Sequence, residues 1–243
     1  MMHGMKTLIG AAALVSLSGP STAQAQDWSY MASVYLFAPE TKTGIGGTES
    51  TLSFKDALDN LDVSFMGAFE ARNGRWGLLA DYMLNDVSFG NSVSNPPVNT
   101  VNTSTKTQMF NGYALYRVYD EQAVKVDLAG GFRWFSTKTA LTLTPGLLPG
   151  SSATVEESWV DPVIGARVRF DIADNWSGTA FFDYGGFSSD SETWQTLLTI
   201  DYALNDRWLL RGGYRYISVD HDINGTDFKF SQSGPIFGAT YRF

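Results

Sequence analysis

Few residues in this sequence could break or make a bond. His221 stands between Asp220 and Asp222, and the other histidine, His3, lies at the extreme N-terminus. Nucleophilic catalysis needs a serine or cysteine within hydrogen-bond reach of a base that a third group orients. The nearest serine, Ser218, is three residues from His221 and therefore of opposite strand parity, a poor placement for such a pair. There is no cysteine, which excludes thiol catalysis and cysteine-ligated metals. One histidine with scattered acids could hold calcium weakly at best, so no metal and no cofactor are expected. The run Gly44-Ile45-Gly46-Gly47 lacks the lysine and the strand–helix context of a phosphate loop. His221 reads as a solvated loop residue, and an enzyme using it is the least favoured function.

A larger set of charged residues recurs at every second position. Glu70, Arg72, Asp81, Arg117, Asp127, Arg133, Arg167, Arg169, Asp183, Asp201, Arg211 and Arg215 each fall on the inward parity of their own segment, joined by Asp171 and Arg242 nearer segment ends. The opposite parity is apolar or aromatic: Trp76, Leu78, Ala80, Tyr82 and Leu84 in one segment, Val124, Val126, Leu128, Gly130, Phe132 and Trp134 in another. Alternation with period two is the signature of a β-strand with two unlike faces.

Ten strands are expected, at 28–38, 62–72, 75–87, 106–119, 123–138, 157–172, 175–187, 193–204, 207–222 and 226–243. They exceed the five or six residues typical of soluble sheets and suit the roughly 9–11 that cross a bilayer at a tilt. Tight turns Asn73-Gly74, Asp120-Glu121-Gln122, Ala173-Asp174 and Asn205-Asp206 follow alternate strands, while 39–61, 88–105 and 139–156 read as long polar loops. Short turns at one end and longer loops at the other are how bacterial membrane barrels are built. The expected fold is all-β: a closed antiparallel up-and-down transmembrane β-barrel of about ten strands. Eight or twelve remain possible, since 43–54 or the region around Pro145 could hold another hairpin.

Lys6, the apolar run Leu8 to Leu17 and Ala23-Gln24-Ala25 form a cleavable secretory signal peptide at 1–25, leaving the barrel domain at 26–243. That run is shorter than the ~20 residues of a spanning helix. A net charge of −8 disfavours nucleic acid as a partner. Trp28, Trp76, Trp134, Trp159, Trp176, Trp194 and Trp208 fall near strand ends, as the aromatic girdles of a barrel do. Within the first long loop, Ser53 and Asp56 make a capping box, and Phe54, Ala57, Leu58 and Leu61 share a helical face. This predicts a short helix that packs on the barrel rim, or alternatively folds inward as a plug.

The last residues, Ile236-Phe237-Gly238-Ala239-Thr240-Tyr241-Arg242-Phe243, resemble the C-terminal assembly signal of outer-membrane barrels, with Gly238, Tyr241 and Phe243 at the matching positions. The resemblance implies recognition by the barrel-assembly machinery. The run Phe65-Met66-Gly67-Ala68-Phe69-Glu70-Ala71-Arg72-Asn73-Gly74-Arg75-Trp76-Gly77-Leu78-Leu79-Ala80-Asp81-Tyr82, with 53–61 and Gly213-Tyr214-Arg215-Tyr216, resembles a family of uncharacterised proteobacterial outer-membrane proteins. The whole is broadly similar to the small OmpA-type barrels. The likeness implies a fold and a Gram-negative outer-membrane location, with lipids and lipopolysaccharide as surroundings, and no activity. Ten-stranded omptin proteases carry an Asp-x-Asp facing an Asp-x-His; here Asp220 directly precedes His221, and no convincing Asp-x-Asp lies across from it.

A ten-stranded barrel is narrow, because eight strands leave room only for side chains and aqueous porins need sixteen or more. The inward charges must pair or meet water. The expectation is a monomeric, non-enzymatic barrel with a charged, mostly filled lumen and a structural or surface-interaction role. The alternative is a narrow channel for small polar solutes.

Overall fold

The computed structural model describes residues 28–59, 61–92, 98–145 and 150–243. The signal-peptide expectation at 1–25 lies outside them. The alternating segments form strands β1 (Ser29–Phe37), β2 (Glu40–Ile45) and β3 (Thr48–Leu52), followed by helix α1 (Phe54–Asp59). Strands β4 (Leu61–Asn73), β5 (Trp76–Ser92), β6 (Val98–Asp120), β7 (Val124–Pro145) and β8 (Ser151–Ala173) come next. The chain ends with β9 (Trp176–Ser188), β10 (Ser191–Ala203), β11 (Trp208–Ile223) and β12 (Thr226–Arg242).

Each strand from β4 to β12 pairs antiparallel with the next, β1 pairs with β4, and β1 also pairs with β12. Ten strands thus close a barrel, leaving no edge in the ring. The hairpin β2–β3 stands outside the ring. β2 pairs with the upper part of β12, from Ser233↔Glu40 to Phe228↔Ile45, directly after β1 releases it at Phe37↔Ile236. Ala38 N–H donates to the Pro235 carbonyl across this junction at 3.0 Å. β1 and β2 are one ribbon broken at Ala38-Pro39, where proline has no N–H to give the ladder.

The turns follow from local chemistry. Gly74 (φ 54°) closes β4–β5, and Asn224 (φ 54°) with Gly225 (φ 82°) closes β11–β12, the left-handed pair that a type I′ hairpin requires. Asp222 Oδ1 accepts from Gly225 N–H at 2.6 Å. In the β10–β11 turn, Asn205 Oδ1 accepts from the N–H groups of Arg207 and Trp208, both at 2.9 Å.

Two of the expected long loops are largely strand. β5 continues to Ser92, β6 begins at Val98, β7 reaches Pro145 and β8 starts at Ser151, so 88–105 and 139–156 become the arms of long hairpins. Polarity there does not mean irregularity. Threonine is β-branched and favours extended backbone, and Thr100, Thr103, Thr105, Thr139, Thr142 and Thr144 all sit in the paired arms. At 23 residues, β6 and β8 are about twice the length that crosses a bilayer.

Helix α1 forms where expected. Asp56 N–H donates to Ser53 Oγ at 3.2 Å, and the Ser53 hydroxyl donates to Asp56 Oδ2 at 2.7 Å. Lys55 Nζ donates to Asp59 at 2.6 Å, an exposed pair one turn apart. The side chains of Phe54, Ala57, Leu58 and Leu61, on which the choice between rim and plug depends, lie outside the described residues.

Candidate functional site

Inward side chains fill the barrel in layers. At the short-turn end lies a belt of charge. Arg167 grips Glu70 with two parallel bonds, Nη1 to Oε2 at 2.8 Å and Nη2 to Oε1 at 2.9 Å, and Nη2 also donates to Asp127 at 2.8 Å. Asp127 further accepts from Arg72 Nη2 at 2.9 Å and Arg117 Nε at 2.5 Å, and Glu70 accepts from Arg169 Nη2 at 2.5 Å. Arg211 makes its own two-pronged pair with Asp201, at 2.6 and 2.8 Å. Five arginines therefore meet three buried carboxylates, with the half-exposed Asp120 reaching Arg117 at 3.2 Å. Arg72 Nε and Nη1 are buried without a partner.

A second belt lies further along the axis. Arg133, with no exposed surface, donates to Asn111 Oδ1 at 2.7 Å, Thr193 Oγ1 at 2.6 Å and Asp183 Oδ1 at 2.7 Å. Asp183 also accepts from Tyr113 Oη at 2.7 Å and Gln195 Nε2 at 2.5 Å. Beside this group, Arg215 donates to Asp81 at 2.6 Å, Gln195 Oε1 at 2.8 Å and Tyr35 Oη at 2.9 Å, and the Tyr35 hydroxyl bonds to Asp81. Every carboxylate here meets a guanidinium and additional donors, the condition under which charge survives burial.

Beyond the second belt the lumen is mainly apolar. Phe37, Met66, Met83, Met109, Phe135 and Val219 pack with Ile217, Phe228, Phe230 and Ile236 into a buried cluster. The expectation of a charged interior thus needs correction in the long-arm half, where inward parity carries methionine and aromatic residues. The twelve lumen charges singled out in sequence all take part in the two belts. Asp171 and Arg242 share their parity but stand exposed at the short-turn end.

The outer face of the barrel is lined with exposed apolar groups, among them Val34, Leu36, Phe65, Leu128, Ile164 and Leu198. Near the short turns, Trp76 packs on Tyr116 at 4.9 Å, Trp176 on Tyr202 at 4.8 Å and Trp208 on Tyr241 at 5.0 Å, while Trp28 stacks on Tyr30 at 6.1 Å. Trp194 stacks on Tyr216 at 4.5 Å, and it shares the outward parity with Trp134. Trp159 does not belong to a girdle. It lies on the inward parity of β8, packs on Phe135 at 4.9 Å and stacks face to face with His221 at 4.1 Å. Of the C-terminal residues, Tyr241 packs on both Trp208 and Phe243 at 5.0 Å. At Gly238 an added Cβ would stand 2.7 Å from that of Tyr35.

His221 therefore faces the inner mouth and is not a solvated loop residue. β11 continues past Ser218 to Ile223, which keeps His221 on the same inward parity as Arg215. Its cross-strand partner is Ser191, which donates to Asp161 Oδ1 at 2.6 Å, and Trp159 Nε1 donates to the other oxygen of Asp161 at 3.1 Å. Serine, histidine and aspartate meet here, yet the Ser191 proton goes to the carboxylate and His221 Nδ1 is buried with no partner. Transfer of the serine proton to the imidazole, which activates a nucleophile, is not what this geometry provides.

No family model matches the chain, and no curated protein matches it. Among solved structures, the outer membrane protease OmpT from Escherichia coli matches with a TM-score of 0.58 and 10% identity, over 92% of this chain and 99% of that one. The chain has the fold of an outer-membrane β-barrel. Ail of Yersinia pestis (TM-score 0.39, 10% identity, 89% of this chain and 98% of that one) and Neisserial surface protein A (0.36, 14%, 89% and 97%) match over similar spans. At such identities the likeness speaks for the fold alone.

Several residues of the lumen were missed in sequence: Asp161, Asn111, Tyr113, Thr193, Gln195 and Tyr35. All but Tyr35, whose strand carries no charge, share the parity of the inward charges on their own strands. Formal charge alone does not mark Asn111, Tyr113, Thr193, Gln195 and Tyr35, the neutral partners that complete the second belt; Asp161 lies outside both belts, at the mouth.

Proposed function

We propose that this chain is a non-enzymatic barrel of the Gram-negative outer membrane, monomeric, with a structural or surface-interaction role and a lumen closed to solutes. The observation that carries the reading is the fully buried cross-section. Arg133, Phe135, Met109, Ile217, Asn111 and Asp183 have almost no exposed surface although all point towards the axis. A water-filled channel would leave such side chains wet.

The outward face supports the membrane. Exposed apolar groups over so wide an area would drive a water-soluble protein to aggregate, whereas in lipid they are solvated. The tryptophan–tyrosine pairs near the short turns then sit at the periplasmic interface. The long arms rise outside, where Lys138–Glu156 at 2.8 Å pairs across β7 and β8 and solvent-facing residues such as Thr154 and Glu156 are available to external partners. Gly238, Tyr241 and Phe243 fit an assembly signal read before insertion. The lack of a serine–histidine bond at the mouth argues against hydrolysis.

Conductance in planar bilayers tests the closed lumen. The purified protein is expected to give no stepwise openings, and deletion of 48–61 is expected to leave it silent, because strand side chains themselves fill the bore. Stepwise openings, above all ones that enlarge in the deletion, would establish the channel reading instead.

A further inference from the structure

The arm formed by β7 and β8 has a sheet edge that no strand covers. β8 pairs with β7 from Leu143↔Ser151 to Val124↔Phe170 without a register shift. On its other side, β9 joins only at Val163↔Gly185. Beyond Gly185 the backbone of β9 turns off through two consecutive left-handed residues, Gly186 (φ 90°) and Phe187 (φ 52°), and then enters the tight turn into β10. A left-handed phenylalanine is a strained conformation, and here it ends the β8–β9 ladder. Counting about eleven residues from the Ala173-Asp174 turn brings β8 to the outer interface near Pro162. Residues 151–161 thus stand above the bilayer with one side open.

The ladder assigns the open groups. Alternate residues of an antiparallel strand bond to opposite neighbours. Asp171 N–H donates to the Ala123 carbonyl at 2.9 Å, so the odd residues of β8 serve β7. The N–H and carbonyl groups of Ser152, Thr154, Glu156, Ser158 and Val160 therefore face the open side, and all five residues are exposed. Pro162 has the same parity and no N–H to offer, and it closes the row at its base. Lysine, proline or a bulge commonly protects such an edge; 151–161 holds none of them. Its charges are Glu156 and Glu157 on the two faces and Asp161 at the mouth, while Lys138 reaches Glu156 from β7. Full overlap with a second copy would set Glu156 opposite its own counterpart, and like charges so placed are destabilising.

We infer that this edge captures an extended, lysine- or arginine-bearing segment of a partner protein, which adds as a strand beside β8. Main-chain hydrogen bonds to the five open residues supply the affinity. Glu156 and Glu157 select basic side chains on either face. The inference deepens the surface-interaction reading and rests on it, since the arm must lie outside the cell.

Fluorescence anisotropy tests it, with a labelled twelve-residue peptide of alternating threonine and lysine added to the full chain in a neutral maltoside. Saturable binding is expected, at least ten-fold tighter than for the same peptide with glutamate in place of lysine. N-methylation of every residue of the peptide removes its donors and keeps its charge, and is expected to abolish binding. In the protein, Thr154→Pro removes one edge N–H and spares the β7 ladder; binding is expected to weaken at least ten-fold. Thr154→Val, which keeps that N–H, is expected to stay within two-fold, and Glu156→Gln/Glu157→Gln to weaken binding at least five-fold. Heat-modifiable gel migration confirms folding of each variant. No saturable binding, or binding that survives N-methylation or Thr154→Pro, would overturn the inference. A dimer that Thr154→Pro dissolves would assign the edge to a second copy and overturn it too. Maleimide labelling of Ser152→Cys on intact cells reports separately on the arm. A labelled arm without peptide binding defeats strand capture alone, whereas an unlabelled arm defeats the surface reading beneath it.

Discussion

An Asp183→Ala variant is expected to lose about 3–5 kcal/mol of stability, the cost of leaving a buried charge without its counter-ion. Asp183 is fully buried, bonds to Arg133 at 2.7 Å, and accepts from Tyr113 and Gln195 as well. Its loss strands a guanidinium with no exposed surface and orphans two further donors. The denaturant midpoint, followed by heat-modifiable migration or tryptophan fluorescence, should fall accordingly. Replacing both members, Arg133→Met with Asp183→Leu, should recover much of the loss, because removing a buried pair together costs far less than breaking it. A small effect of Asp183→Ala would mean that water reaches Arg133, and with it that the second belt does not close the bore.

The second large effect is expected at Gly131. A Cβ there would stand 1.9 Å from the carbonyl oxygen of Gly112 on β6, so Gly131→Ala forces two hydrogen-bonded strands apart. The cost should reach at least 3 kcal/mol, the upper end for overpacking, since backbone must move and no side chain can yield. Most of the variant should fail to reach the folded, heat-modifiable form. Gly130→Ala is the control: an added Cβ meets nothing within 4 Å, and its effect should stay within about 0.5 kcal/mol. Equal behaviour of the two variants would show that β6 and β7 do not approach so closely.

The layering inside the barrel explains which parts were legible beforehand. Alternation assigns a face to each residue, so Glu70, Arg133, Asp183 and Arg215 could be placed inward with no knowledge of their partners. The same parity would have turned Trp159 and His221 inward as well. Proximity to a strand end suggests a girdle for one and a loop for the other, although both lie within the expected strands 157–172 and 207–222. For both, parity is the deciding signal and position along the strand is not. The long polar arms were hidden for a related reason, since a threonine-rich paired strand and a polar loop have similar composition and differ only in whether a partner strand lies alongside.

By itself the amino-acid sequence determined the strand period, the barrel class, the ring of ten, the turn chemistry and the inward set of charges, because these depend on local geometry and on a parity that each strand carries within itself. Only the tertiary structure decided which charges meet. Glu70 and Arg167, or Asp81 and Arg215, are brought together by ring closure and shear across strands far apart in the chain. It also decided that the long-arm half of the bore is packed with methionine and phenylalanine, and that β1 leaves β4 at Val34. The register between non-neighbouring strands sets each of these, and no segment of the chain contains that register alone.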